Sequence, residues 1–138
     1  MQSRGIILVL IVAFLLGVQN IYAQNYAETR SLAWALVGGK QGGNFNKRVL
    51  EVQKGIGAMQ QVSPSQAEHI KVDSFSVLII RNDRSIYNFR NKGAYFERNV
   101  HDMLEKLQID DKVLFSDIYA TDLNKKIILL SPLEFLVK

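Results

Sequence analysis

The sequence predicts an α+β domain, mainly antiparallel β-sheet, with a short N-terminal helix and one amphipathic helix packed on it. Three observations carry this. Apolar and polar residues alternate over 69–81 and, less regularly, over 85–90, on either side of the polar tip Asn82-Asp83-Arg84. Two such runs across a short tip form a hairpin. Val100, Met103, Leu104 and Leu107 recur at i, i+3, i+4 and i+7, the spacing of one helix face. The chain then returns to short apolar runs at 112–120, 126–130 and 133–137, and strands that outnumber two helices in this way make an antiparallel α+β arrangement.

Taken in order, the domain is expected over 32–138, after a polar leader at 24–31. Ala33-Trp34-Ala35-Leu36-Val37, ending in Gly38-Gly39, reads as a short buried strand. Gly42-Gly43 closes a turn, and Asn44 or Asn46 can cap a helix start. Phe45, Val49, Val52 and Ile56 follow at spacings of 4, 3 and 4, read as that helix's apolar stripe, with Gly55 and Gly57 at its end. The stretch 60–68, with Pro64 between two serines, reads as a loop. In the strand that follows, Phe75, Val77 and Ile79 face one way, and Ile70, Val72, Leu78 and Ile80 the other. Gly93 ends the hairpin. The amphipathic helix spans about 96–107, and Asp110-Asp111 turns the chain into the next strand. Pro132 argues that the last strand lies at an edge or a bend. The expected core is Phe75, Val77, Ile79, Val100, Met103, Leu104, Leu107 and Phe115.

The first twenty-three residues have the layout of a secretory signal. Arg4 supplies a positive start, residues 5–17 are unbroken apolar, and Ile21-Tyr22-Ala23 has the small final residue that a signal peptidase requires, so cleavage is expected between Ala23 and Gln24. An apolar run of 13 is short of the roughly 20 residues a spanning helix needs, and Gln19 and Asn20 stand where a span would continue. The mature chain is expected in the periplasm or otherwise exported, with no membrane span.

Taking Arg4 from the 17 basic residues leaves 16 against 13 acidic ones, a net of +3. That excess is too mild and diffuse to mark nucleic acid as a partner. Cys is absent, so stability must come from the core and not from disulfides.

Tests for chemistry return turns and strands. Gly38-Gly39-Lys40-Gln41-Gly42-Gly43 lacks the upstream glycine and the hydroxyl residue of a phosphate loop, because Trp34 and Gln41 hold those places. His69 and His101 are far apart and have no carboxylates at ligand spacing. No serine stands in a nucleophile elbow. The expectation is a protein that is no enzyme and holds no cofactor or metal. The densest basic stretch, Arg81, Arg84, Arg90, Lys92 and Arg98, is interleaved with Tyr87, Phe89, Tyr95 and Phe96. It reads as a solvated face, with an acidic protein or a surface glycan as the alternative partner. Loops held on a rigid sheet are where binding usually sits. Lys40, Arg81 and Arg84, at the glycine-rich turn and the hairpin tip, are therefore the candidate partner-binding charges.

Four segments in order carry a resemblance. Ala35-Leu36-Val37-Gly38-Gly39-Lys40-Gln41-Gly42-Gly43-Asn44-Phe45-Asn46-Lys47 resembles the opening of the C-terminal domain of GldM/PorM proteins. Gly55-Ile56-Gly57-Ala58, Val72-Asp73-Ser74-Phe75-Ser76-Val77 and Val113-Leu114-Phe115-Ser116-Asp117-Ile118-Tyr119-Ala120 resemble its later parts. Members of that family belong to the gliding-motility and type IX secretion machinery, where a terminal periplasmic domain meets an outer-membrane-associated ring. The resemblance implies a stand-alone exported interaction domain whose partners are envelope proteins, ring components among them, with a homodimer also open. The family's inner-membrane helix and preceding ectodomain have no counterpart in these residues, so an accessory role without force transmission is expected. The alternative is a free-standing binder of surface glycan or another anionic ligand.

Overall fold

The computed structural model describes Leu32–Lys138, which form a compact unit. The expected signal peptide, the Ala23–Gln24 cleavage point and the 24–31 leader lie outside the described residues. Eight strands and two helices follow one another: β1 Ala33–Leu36, β2 Gly43–Phe45, α1 Lys47–Glu51, β3 Gly57–Ser63, β4 Gln66–Arg81, β5 Arg84–Lys92, α2 Arg98–Glu105, β6 Lys112–Thr121, β7 Ile127–Leu130 and β8 Leu133–Val137. They make one sheet in the order β1-β3-β4-β6-β8-β2, with β5 added to β4 and β7 to β6. All pairings are antiparallel except β2 with β8. The mainly antiparallel β architecture is therefore as the sequence predicts.

The inner face of the sheet holds the core. Phe75, Val77 and Ile79 of β4 lie across from Phe115 and Val113 of β6, and Phe135 and Val137 of β8 extend the same layer. Helix α2 covers it with Val100, Met103 and Leu104, and Leu107 follows just beyond. All eight expected core residues are buried. Phe96 lies parallel to Phe115 with ring centroids 5.9 Å apart, and Phe75 meets both rings edge-on. Phe135 links Phe115 to Phe45, so aromatic contacts run from the start of α2 to β2.

Four local expectations are corrected. Helix α1 is only five residues long, begun by Asn46, whose Oδ1 accepts from the Arg48 amide at 3.0 Å. Its buried residue is Leu50; Val49 and Val52 are 48% and 71% exposed. Phe45 and Ile56 are buried from outside the helix, Phe45 from β2, and this made a false helical stripe. Gly57 does not end that helix but opens β3, and Gly55 bridges to Tyr95. The 60–68 stretch is no loop: β3 and β4 pair up to Ser63 and Gln66 around Pro64-Ser65. This end of the hairpin is polar because most of its side chains meet water, and proline occupies the tip, where its missing N–H breaks no ladder. Lastly, Val72 is buried, on the same side as Phe75, because a bulge at Asp73 inserts one residue and reverses the alternation.

Pro132 marks a bend, one of the two outcomes expected of it. Strands β7 and β8 both lie along β6, β7 against 118–121 and β8 against 112–115, and Ser131-Pro132 interrupts them. Asp117, at φ 46°, bulges β6 at the same level. No helix of the described residues is long and apolar enough to cross a membrane.

Candidate interaction surface

The glycine-rich turn is built by backbone pairing. Val37 and Lys40 exchange N–H···O bonds of 3.0 Å across Gly38-Gly39, both at positive φ, the geometry of a tight two-residue hairpin. A side chain at Gly38 would meet the Phe45 ring at 2.8 Å. Lys40 folds back over its own turn: Nζ donates to the Asn44 carbonyl at 3.0 Å and stands 5.1 Å from the Phe45 ring centre. The Val37 and Lys40 amides are thus used in the hairpin itself.

At the other tip, Asn82 and Asp83 both adopt positive φ, and β5 begins at Arg84. Arg84 is exposed. Arg81, expected as an exposed charge, is instead locked into the fold. Its Nε donates to Asp111 Oδ1 and its Nη2 to Asp111 Oδ2, each at 2.9 Å. Asp111 is only 2% exposed and also accepts from the Gln108 amide at 2.8 Å. Burial favours the neutral Asp111 acid, but the Arg81 hydrogen bond, the Gln108 amide and the Arg81 charge outweigh it. The carboxyl is held below the usual carboxylate range. The same hydrogen bond holds the Arg81 guanidinium above its ordinary value, against some desolvation.

The two tips do not form one patch. Strands β5 and β6 pair the same stretch of β4 and so flank it on opposite sides. Between β5, which carries Arg84, and β2, beside the Lys40 turn, lie four strand spacings, or about 19 Å along the sheet.

Two buried polar side chains carry little signal in the sequence. Asp111 there reads only as a turn residue. Asn91, fully buried, donates from Nδ2 to the Lys92, Gly93 and Tyr95 carbonyls and accepts at Oδ1 from the Glu97 amide, tying the end of β5 to the start of α2. An asparagine two residues before Gly93 was the one available signal of a side chain organising that turn.

His101 meets Phe96 edge-on at 5.9 Å, whereas His69 is exposed on β4. Among the described residues no three His, Asp or Glu side chains come together to hold a metal. A cavity of about 210 Å³ lies beside β4 and the β6–β7 turn, lined by His69, Ile70, Lys71, Thr121, Asp122 and Lys125. That is below the roughly 300–1,000 Å³ of small-molecule sites. The surface is one of strands, tips and an open sheet face.

With this geometry in view, a sequence model of the family described as the GldM C-terminal domain matches residues 21–138. The chain belongs to the GldM C-terminal domain family. That family is a component of gliding-motility and type IX secretion machinery, and its C-terminal domain is periplasmic. A search of curated proteins returned no match.

Proposed function

We propose that this GldM-type domain is exported to the periplasm and works there without catalysis, as a protein-interaction accessory of the secretion and gliding machinery. The family match over 118 of 138 residues supports this most strongly. The signal-like N-terminus supports export, with cleavage after Ala23, and intact mass of the exported protein tests it: a product still carrying Arg4 overturns it. The partners are envelope proteins, with outer-membrane-associated ring components first among them.

Lys40 and Arg84 act as outlying charges that steer an acidic partner, since charges at the edge of an interface chiefly raise the encounter rate. Arg81 supports the tip from within. Its grip on Asp111 means that reversing its charge would damage the fold, so the test leaves it intact. A Lys40→Glu, Arg84→Glu variant should fold and capture ring components less well from envelope extract at low salt, with the difference shrinking at high salt. Undiminished capture removes these two residues from the interface. Recovery of anionic glycan and no protein would favour the glycan-binder reading.

A further inference from the structure

The sheet face opposite α2 carries an arginine held in place without a countercharge. Arg90 of β5 lies across β4, where Nη1 donates to Ser76 Oγ at 3.1 Å and Nη2 to Ser74 Oγ at 3.0 Å. Its guanidinium carbon stands 5.8 Å from the ring centre of Tyr119 on β6. None of the ion pairs among the described residues includes it. Two neutral hydroxyls and an aromatic ring fix the guanidinium, so among the described residues it pairs with no carboxylate and its Nε–H makes no hydrogen bond.

The surroundings combine apolar area with positive charge. Leu78 and Leu114 face each other across β4 and β6 on this outer side, and Ile80 and Leu136 flank Lys112 in the next row; all four leucine and isoleucine side chains are half-buried, and no helix or strand of the described residues lies over them. Lys92, beside Ser74, and Lys112 are exposed at the margin. Of the acidic residues on this side, Glu134 lies 3.9 Å from Lys112, Asp73 accepts from Thr121 Oγ1 and lies 3.9 Å from Lys71, and Asp117 is exposed at the β6 bulge.

We infer that this outer face, centred on Arg90 and Tyr119, is the surface on which an acidic protein segment docks, with a partner carboxylate received by the Arg90 guanidinium and apolar partner side chains laid on Leu78 and Leu114. The inference rests on the protein-interaction reading above and assigns that interaction a surface. Charge complementarity selects the occupant. A carboxylate turns neutral contacts into a charge-assisted pair with a planar, bidentate donor. The arginine is already ordered, which lowers the entropy lost on binding. A second copy docked about a two-fold axis through the centre of this face would set Arg90 against its own copy, since such an interface is self-complementary. A glycan has no use for the leucine strip. Arginine and tyrosine at the centre of a patch are also the residue types that dominate interface energetics.

The test uses the full exported chain in its own envelope, with a benzophenone side chain introduced at Asn88, which neighbours Leu78 on the outer face and is exposed. Irradiation should give a cross-link to a protein segment rich in Asp or Glu. Arg90→Gln should reduce its yield about tenfold, as loss of an interface anchor does, while Arg90→Lys restores part of it and all variants melt alike. A cross-link unchanged by Arg90→Gln overturns the inference, as does one to a segment without carboxylates, to glycan, or to a second copy of this chain. If ring components co-purify but Asn88 yields no cross-link, only this surface is wrong. If no protein is captured by either route, the interaction reading fails with it.

Discussion

Arg81 and Asp111, thirty residues apart, close the end of the sheet with two parallel N–H···O contacts of 2.9 Å. The pair joins the tip of the β4–β5 hairpin to the segment leaving α2. Through the Asp111 backbone, whose carbonyl accepts from the Val137 amide at 2.9 Å, it also reaches the last strand. A residue that reads as a surface charge is thus a tie between three parts of the fold.

Acid should loosen this tie. The folded Asp111 carboxyl titrates below its unfolded value of about 3.9. Its contribution is therefore fully present above that value and is lost as pH falls through the lower folded one. Asp111→Asn should flatten the fall of melting temperature below about pH 4. At neutral pH, Asp111→Ala leaves the Gln108 amide without its acceptor and should cost about 1–3 kcal/mol. Equal acid sensitivity in the wild type and Asp111→Asn would place the acid-labile group elsewhere.

Leu104→Ala should destabilise by about 2–5 kcal/mol, because the fully buried side chain leaves a cavity between α2 and the sheet. Urea unfolding measures this directly. A loss below about 0.5 kcal/mol would mean that this helix face is not packed.

Asn91→Ala should cost about 1–3 kcal/mol, since it strips partners from the Tyr95 carbonyl and the Glu97 amide. Amide exchange should rise at the start of α2 before it rises in β4. Uniform exchange across both would show that Asn91 does not organise that junction locally.

Gly55→Ala probes a close approach. An added Cβ would lie 2.2 Å from the Ala94 carbonyl oxygen, so backbone must move, at about 1–3 kcal/mol. An unchanged melting temperature would contradict the Gly55–Tyr95 bridge.

Much of the fold was legible because β4 and α2 bury one clean face each. Alternation at Phe75, Val77 and Ile79 and the i, i+3, i+4 spacing at Val100, Met103 and Leu104 are direct consequences of that burial. The errors have physical causes too. Phe45 and Ile56 are buried from outside α1, and spacing alone cannot separate them from a helical stripe. The β3–β4 hairpin end buries little, so its sequence lacks alternation.

The candidate surface was less legible because it depends on register. Arg81 pairs with Arg84 and Ile80 with Ser85, but Ile79 pairs with Tyr87, so β5 gains a residue at Ile86. Without that bulge, counting back from the tip sets Ser76 opposite Phe89. With it, Ser76 meets Arg90. An inserted residue on one strand is a property of the pair of strands, and neither strand's sequence declares it. Likewise, nothing near Arg81 in sequence points to a buried carboxylate thirty positions later.

The central claim is that this GldM-type domain works by joining envelope machinery. The most direct measurement is the native size of the exported chain in gently solubilised envelopes, with its companions identified by mass spectrometry. The account predicts a large assembly that contains outer-membrane-associated ring components and dissociates as salt is raised. A chain that migrates only as a free monomer at low salt, with the ring components intact elsewhere, would contradict it.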